Sequence, residues 1–109
     1  CYNGSSITLV TDSNVDKLYG SILKEALEDA GFHCCKIVIP AGEESKSLST
    51  LDYIYSKLAE TATDKGSLLA AFGGGVVGDI TGFAAATYMR GIPYIQIPTT
   101  LMSQLDSSI

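Results

Sequence analysis

Two hydrophobic rhythms alternate along this chain. Short apolar or β-branched runs, "SSITLVT" (5–11), "CCKIVIP" (34–40), "SLLAAF" (67–72) and "PYIQIP" (93–98), read as strands. Between the first two, "NVDKLYGSILKEALEDAG" sets Val15, Leu18, Tyr19, Ile22, Leu23, Ala26, Leu27 and Ala30 at three- and four-residue spacings. That spacing predicts an amphipathic helix, stopped by Gly31. After the polar loop "AGEESKS", a second helical face is predicted from Leu48, Leu51, Tyr55, Leu58 and Ala62, with Ser49 and Asp52 as its capping box. A third helix is expected from about Val76 to Met89, ended by Gly91, and a fourth begins in "TTLMSQLDSS". Four alternations of strand and helix predict an α/β fold: a mostly parallel sheet with helices on both faces.

Composition narrows the function classes. The chain has 109 residues, enough for one domain with a core, and 46% of them are hydrophobic against 17% charged. A net charge of −5 with only seven basic residues, none clustered, argues against a nucleic-acid surface. No apolar run reaches the roughly 18–20 residues of a membrane span, so no membrane partner is expected. Three cysteines, two of them adjacent at 34 and 35, favour a reducing, cytoplasmic setting over a disulfide framework. Neighbouring residues such as His33, Cys34 and Cys35 rarely converge on one ion, so no metal site is expected here. The chain opens on Cys1 and closes at Ile109 just after "DSS", which is expected of a piece of a longer protein.

Charge is distributed unevenly. Residues 67–109 carry only three charged side chains, Asp79, Arg90 and Asp106, so this half is core or interface, and each charge is expected to meet a partner, a ligand or a cleft. Within it, "AFGGGVVGDITGF" (71–83) packs five glycines and Asp79 into the mouth of an apolar helix. Gly73, Gly75 and Gly78 match G-x-G-x-x-G. A glycine-rich turn from a strand into a helix presents backbone N–H groups and the positive end of the helix dipole to a phosphate. The match departs from the usual dinucleotide fingerprint, which follows the first strand and has an acidic residue about 20 positions on. The other reading is that the glycines let the helix pack close to the sheet. Asp79, expected in the first helical turn, would cap the helix or accept a ligand hydroxyl.

The assembled segment "FGGGVVGDITGFAAATYMRGIPYIQIPTTLMSQLDSSI" closely resembles the nucleotide-binding half of the 3-dehydroquinate synthases, with "GGGVVGD", "TYMRG", "PTT" and "DSS" in order. The resemblance implies a Rossmann-like, NAD-binding α/β domain over residues 1–109 and a separate helical, metal-binding domain outside this chain. It implies that Asp12 and Asn14 meet the adenosine side of NAD, with Glu43 and Lys46 in the same ribose region. Gly74, Gly75 and Val76 would lie against the pyrophosphate, Asp79 on a cofactor hydroxyl, and Thr99 and Thr100 on further parts of NAD. Arg90 and Asp106 would bind a sugar-acid phosphate substrate, Arg90 across the interface of a homodimer. The family's divalent metal, zinc or cobalt, would take its ligands outside this chain, and no catalytic residue is expected within it. Each residue also has a plain reading: Asp12, Asn14, Thr99 or Thr100 as helix caps, Glu43 and Lys46 as a solvated pair, Arg90 as a helix C-terminal charge. Other sugar-phosphate cyclases, of the 2-deoxy-scyllo-inosose synthase type, and a non-catalytic NAD-binding or assembly module using the small face of Gly82, Ala85 and Ala86, remain open alternatives.

Overall fold

A computed structural model describes residues 6–60, 67–88 and 91–100. Four strands, β1 (Ser6–Asp12), β2 (His33–Ile39), β3 (Ser67–Phe72) and β4 (Tyr94–Ile97), form one sheet in the order β2-β1-β3-β4. Every pair is parallel, with Thr11 opposite Val38 on one side and opposite Phe72 on the other. All four strands fall where the hydrophobic runs predicted them. The fourth helix, Met89 and Ala62 lie outside the described residues.

The helices are α1 (Ser13–Val15), a π-helical stretch Asp16–Gly20, α2 (Ser21–Asp29), α3 (Leu48–Glu60) and α4 (Gly75–Thr87). They cover both faces. On one, Val10, Ile37 and Leu69 of the sheet pack with Ile54 and Leu58 of α3 and Ile80 and Ala84 of α4. On the other, Ile7, Leu9, Cys34 and Phe72 pack with Leu23 of α2, and Tyr19 lies 6.5 Å from Phe72 between ring centroids. A strand buried on both faces needs apolar residues at nearly every position, and β1 is buried from Ile7 to Thr11. Cys34 and Cys35 are both free thiols, and strand alternation buries only the first.

Three details depart from the sequence expectation. The first helix does not bury its whole stripe: Leu18 and Ile22 are 64% and 52% exposed, while Tyr19, Leu23 and Leu27 face the sheet. The π-helical turn interrupts its register at this point, and eight apolar positions make a stripe wider than one sheet face can cover. This turn is held by an ion pair between Asp16 and Lys36 of β2 at 2.6 Å, and a Cβ on Gly20 would meet Asp16 Oδ1 at 1.9 Å. In α3 the predicted Leu51 and Leu58 are buried, joined by Ile54, which the predicted face left out, whereas Leu48 is 80% exposed. Its cap is Ser47, whose Oγ accepts from the Thr50 N–H at 3.3 Å, so the Ser49–Asp52 box does not form. The helix simply starts one position before Ser49, which leaves Ser47 at the cap position. Finally, the small face of α4 is used within the chain at Gly82 and Ala85, while Ala86 stays exposed. Ala85 is buried, and a Cβ on Gly82 would meet the Tyr94 ring of β4 at 3.3 Å.

Burial pushes the Cys34 thiol up from 9.0 to about 11. The unfolded chain therefore releases this proton first, and stability present below the unfolded value is lost as pH rises toward the folded one. The unfolding free energy obtained from urea titrations should fall between about pH 9 and pH 11 by roughly 1–2 kcal/mol more in the wild type than in Cys34→Ala, whose titration lacks this group.

Candidate nucleotide site

In an open parallel sheet the connection from β1 runs outward to β2, while β3 leads the other way to β4. The carboxyl ends of β1 and β3 thus border a crevice where neighbouring chain segments diverge, and ligands of doubly wound folds bind in such crevices. This order explains why the glycine turn can follow the third strand instead of the first: both strands open on the same place. The Thr11 hydroxyl ties the two ends together, donating to the Phe72 carbonyl at 2.7 Å in a buried setting.

Asp12 closes β1 and caps α1, its Oδ1 accepting from the Val15 N–H at 2.8 Å. Its plain reading as a cap is therefore realised. Its second oxygen, Oδ2, remains on the glycine side, 3.5 Å from where a Gly73 Cβ would stand. Asn14 is exposed in the short helix α1. The next loop is fastened beside it: the Ser13 Oγ accepts from the Ala41 N–H at 3.2 Å, and the buried Ser45 hydroxyl donates to the Pro40 carbonyl. These bonds set the 3-10 turn Glu43–Ser45, with Glu43 exposed, and deliver Lys46 to Asp79, Nζ to Oδ2, at 3.3 Å. Both partners are largely exposed, so the pair adds little to stability. Asp79 does not cap α4. The helix begins at Gly75, which puts Asp79 in the second turn, where with Lys46 it lines a pocket shared with Leu51, Ile80 and Phe83 and does not line the two cavities at the glycine turn.

The glycines divide between the two readings. Gly73 and Gly78 are packing glycines: a Cβ on Gly73 would meet Val77 Cγ2 at 3.1 Å, and one on Gly78 would meet Gln96 Nε2 at 2.9 Å. Gly74 and Gly75 have no atom within 4 Å of such a Cβ. They open α4 without a side-chain cap, so the first N–H groups of the helix are left bare toward the crevice. A cavity of about 150 Å³ lies on the Asp12 side, reaching Pro40, Gly42 and Val76, and one of about 370 Å³ on the β4 side, reaching Gln96, Ile97 and Pro98. Gly74 and Gly75 line both. Thr99, half-buried, and Thr100, exposed, follow Pro98 directly. Arg90 and Asp106 lie outside the described residues.

Sequence reasoning missed Thr11, Ser13, Ser45 and Gln96. A glutamine inside the apolar run "YIQIP" was a visible signal; the serines and Thr11 act through backbone partners that no spacing reveals. Among the described residues, no three His, Cys, Asp or Glu side chains could share a metal ion, and no helix is long and apolar enough to cross a membrane.

A parallel sheet opening on a bare glycine turn, with a carboxylate at the end of the first strand, defines a doubly wound, Rossmann-like nucleotide-binding fold. The model of the N-terminal part of 3-dehydroquinate synthase matches residues 36–109, and the chain belongs to that family. A 3-dehydroquinate synthase of Clostridium acetobutylicum is 57% identical over 108 residues, covering 99% of this chain and 30% of that protein. Two solved structures are similar in fold. The 2-epi-5-epi-valiolone synthase of Streptomyces hygroscopicus subsp. jinggangensis, with NAD+ and Zn2+ bound, has a TM-score of 0.80 at 33% identity, covering 96% of this chain and 29% of its own. A 2-deoxy-scyllo-inosose synthase complexed with carbaglucose-6-phosphate, NAD+ and Co2+ has a TM-score of 0.81 at 27% identity, covering 94% and 28%. The chain thus spans less than a third of the length of these relatives.

The division among the glycines is testable by stability alone. Gly73→Ala should cost about 1–3 kcal/mol through its contact with Val77. Gly74→Ala, with φ −85° and open space around it, should leave stability unchanged or raise it by up to about 1 kcal/mol, as read by thermal melting.

Proposed function

We propose that this chain is the NAD-binding domain of a 3-dehydroquinate synthase, which converts 3-deoxy-arabino-heptulosonate 7-phosphate to 3-dehydroquinate and phosphate in the shikimate pathway. The observation that carries the reading is the pair of open glycines, Gly74 and Gly75, at the bare start of α4 in the crevice between β1 and β3. Support for the particular reaction comes from the 57% identity to the Clostridium enzyme. The structural neighbours described with bound NAD+ support the cofactor.

NAD, when bound, would supply a hydride acceptor that returns the same hydride later in the reaction. The chain's own residues bind and orient it. The N–H groups at the start of α4 meet the pyrophosphate, where bare donors and the helix dipole favour negative charge by about 0.3–1 kcal/mol and up to about 2. No side chain at Gly74 or Gly75 holds the phosphates away from the backbone. Asp12 Oδ2 accepts from a ribose hydroxyl while Oδ1 keeps the α1 cap, so the carboxylate is held in one orientation before the cofactor arrives. Asp79 accepts from a second hydroxyl, with Lys46 holding its other oxygen and balancing its charge beside the phosphates. Asn14, Glu43, Val76, Thr99 and Thr100 complete the cofactor wall, and Arg90 and Asp106 contact the sugar-acid phosphate. No three His, Cys, Asp or Glu side chains among the described residues are placed to share a divalent metal. The whole enzyme is proposed to be a cytoplasmic homodimer whose metal ligands lie outside this chain.

Calorimetric titration with NAD tests the cofactor reading. Gly75→Ala should keep or raise the melting temperature yet weaken NAD binding about tenfold or more, since its Cβ adds bulk only on the ligand side. No NAD binding by the wild type would sink the proposal. In the whole enzyme, phosphate release from 3-deoxy-arabino-heptulosonate 7-phosphate is expected. Turnover of a different sugar phosphate alone would transfer the chain to another cyclase.

A further inference from the structure

One side chain in the larger cavity has been given no role by the family resemblance or in the cofactor wall described above. Gln96 lies on the α4 face of β4 and lines the cavity of about 370 Å³ together with the glycine turn, Ile97 and Pro98. Its Nε2 donates to the Tyr94 hydroxyl at 2.8 Å, and that hydroxyl in turn donates to the Gly78 carbonyl at 2.8 Å. A glutamine carboxamide can ordinarily turn over, exchanging its oxygen for its nitrogen. Here it cannot do so freely. The only hydrogen of the Tyr94 hydroxyl is spent on Gly78, so the phenolic oxygen can only accept, and a flipped Gln96 would set one acceptor against another. Gly78 belongs to the same arrangement: a Cβ there would stand 2.9 Å from Gln96 Nε2 and push the amide away.

The locked amide keeps one N–H and its carbonyl oxygen for a ligand, side by side in a fixed order. That is the pattern that pairs with the exocyclic amino group and adjacent ring nitrogen of adenine, the usual partner of Asn and Gln carboxamides. The cavity is more than twice the size of the one on the Asp12 side, and Ile97 and Pro98 give it apolar lining for a flat ring. Asp12 Oδ2 lies next to Gly73, across the turn, which suits the attached ribose. We propose that Gln96, oriented by Tyr94, is the specificity-determining residue that reads the adenine ring of the bound dinucleotide. This rests on the NAD reading above and deepens it. Hypoxanthine carries a carbonyl where adenine carries its amino group, so it sets oxygen against oxygen at the locked amide. A site built for one hydrogen-bond pattern rejects its inverse strongly.

The test compares binding of NAD and of nicotinamide hypoxanthine dinucleotide to the intact chain by calorimetry. The wild type should prefer NAD by about tenfold or more. Gln96→Leu should weaken NAD and bring the two ligands within about twofold of each other. Tyr94→Phe keeps the ring against Gly82 but releases the amide, so it should narrow the preference chiefly by tightening the hypoxanthine ligand. A merely structural clip between β4 and α4 would weaken both ligands alike and leave their ratio unchanged, and that result overturns the proposal. So does a wild type that binds both dinucleotides equally. Should Gln96→Leu fail to fold, the Tyr94→Phe ratio decides. A wild type that binds neither ligand would instead overturn the cofactor reading, and this one with it.

Discussion

Parallel strands cannot be joined by a tight turn, and every connection in this sheet must cross a face before returning. With β1 paired to β2 on one side and to β3 on the other, the outgoing chains at Asp12 and Gly73 must diverge. That divergence leaves a gap lined by main chain, and the bond from the Thr11 hydroxyl to the Phe72 carbonyl fixes its width at the last paired residues. Everything assigned to nucleotide binding hangs from these two strand ends. Had either strand been one residue out of register, its inward side chains would have turned to the opposite layer and the gap would have lost its floor.

The surrounding loops are held by a set of small polar side chains rather than by bulk. Ser13, Ser45 and Ser47 each satisfy a backbone group of the β2–α3 connection or the α3 start, and Asp16 with Lys36 anchors the first helix to the edge strand. Buried or half-buried backbone groups must find partners, and a loop whose partners are side chains of its neighbours can adopt only one path. This is how the exposed Lys46 comes to rest on Asp79, more than thirty positions away in sequence.

The strands, the alternation and the glycine turn were legible in the sequence because each has a strong local cause: apolar runs for strands buried on both faces, and glycines where a side chain does not fit. The helix faces were less so. Leu48 sits at the right spacing for the α3 stripe but precedes the sheet contact, while Ile54, off the chosen stripe, points straight into it. The π-helical turn hid entirely, since an extra residue in one turn leaves composition unchanged and shows only as Leu18 and Ile22 facing out. The glycine run looked like a choice between packing and ligand approach. Packing accounts for Gly73 and Gly78 but not for Gly74 and Gly75, and only the distances from each missing Cβ separate the two pairs. Gln96 could be noticed but not interpreted, because its meaning depends on a tyrosine hydroxyl already committed elsewhere.

The bare turn at Gly74 and Gly75 has one more consequence. A recognition surface made of main chain has nothing to truncate. Alanine scanning, which elsewhere works by deletion, reads this centre only through the methyl group it adds. By the same token, inheritance constrains it loosely: peptide groups are the same in every sequence, so descendants can exchange most of their side chains while the cradle survives. Neighbours at 27–33% identity whose folds match this one with TM-scores of 0.80–0.81 show how far side chains can change within a similar frame.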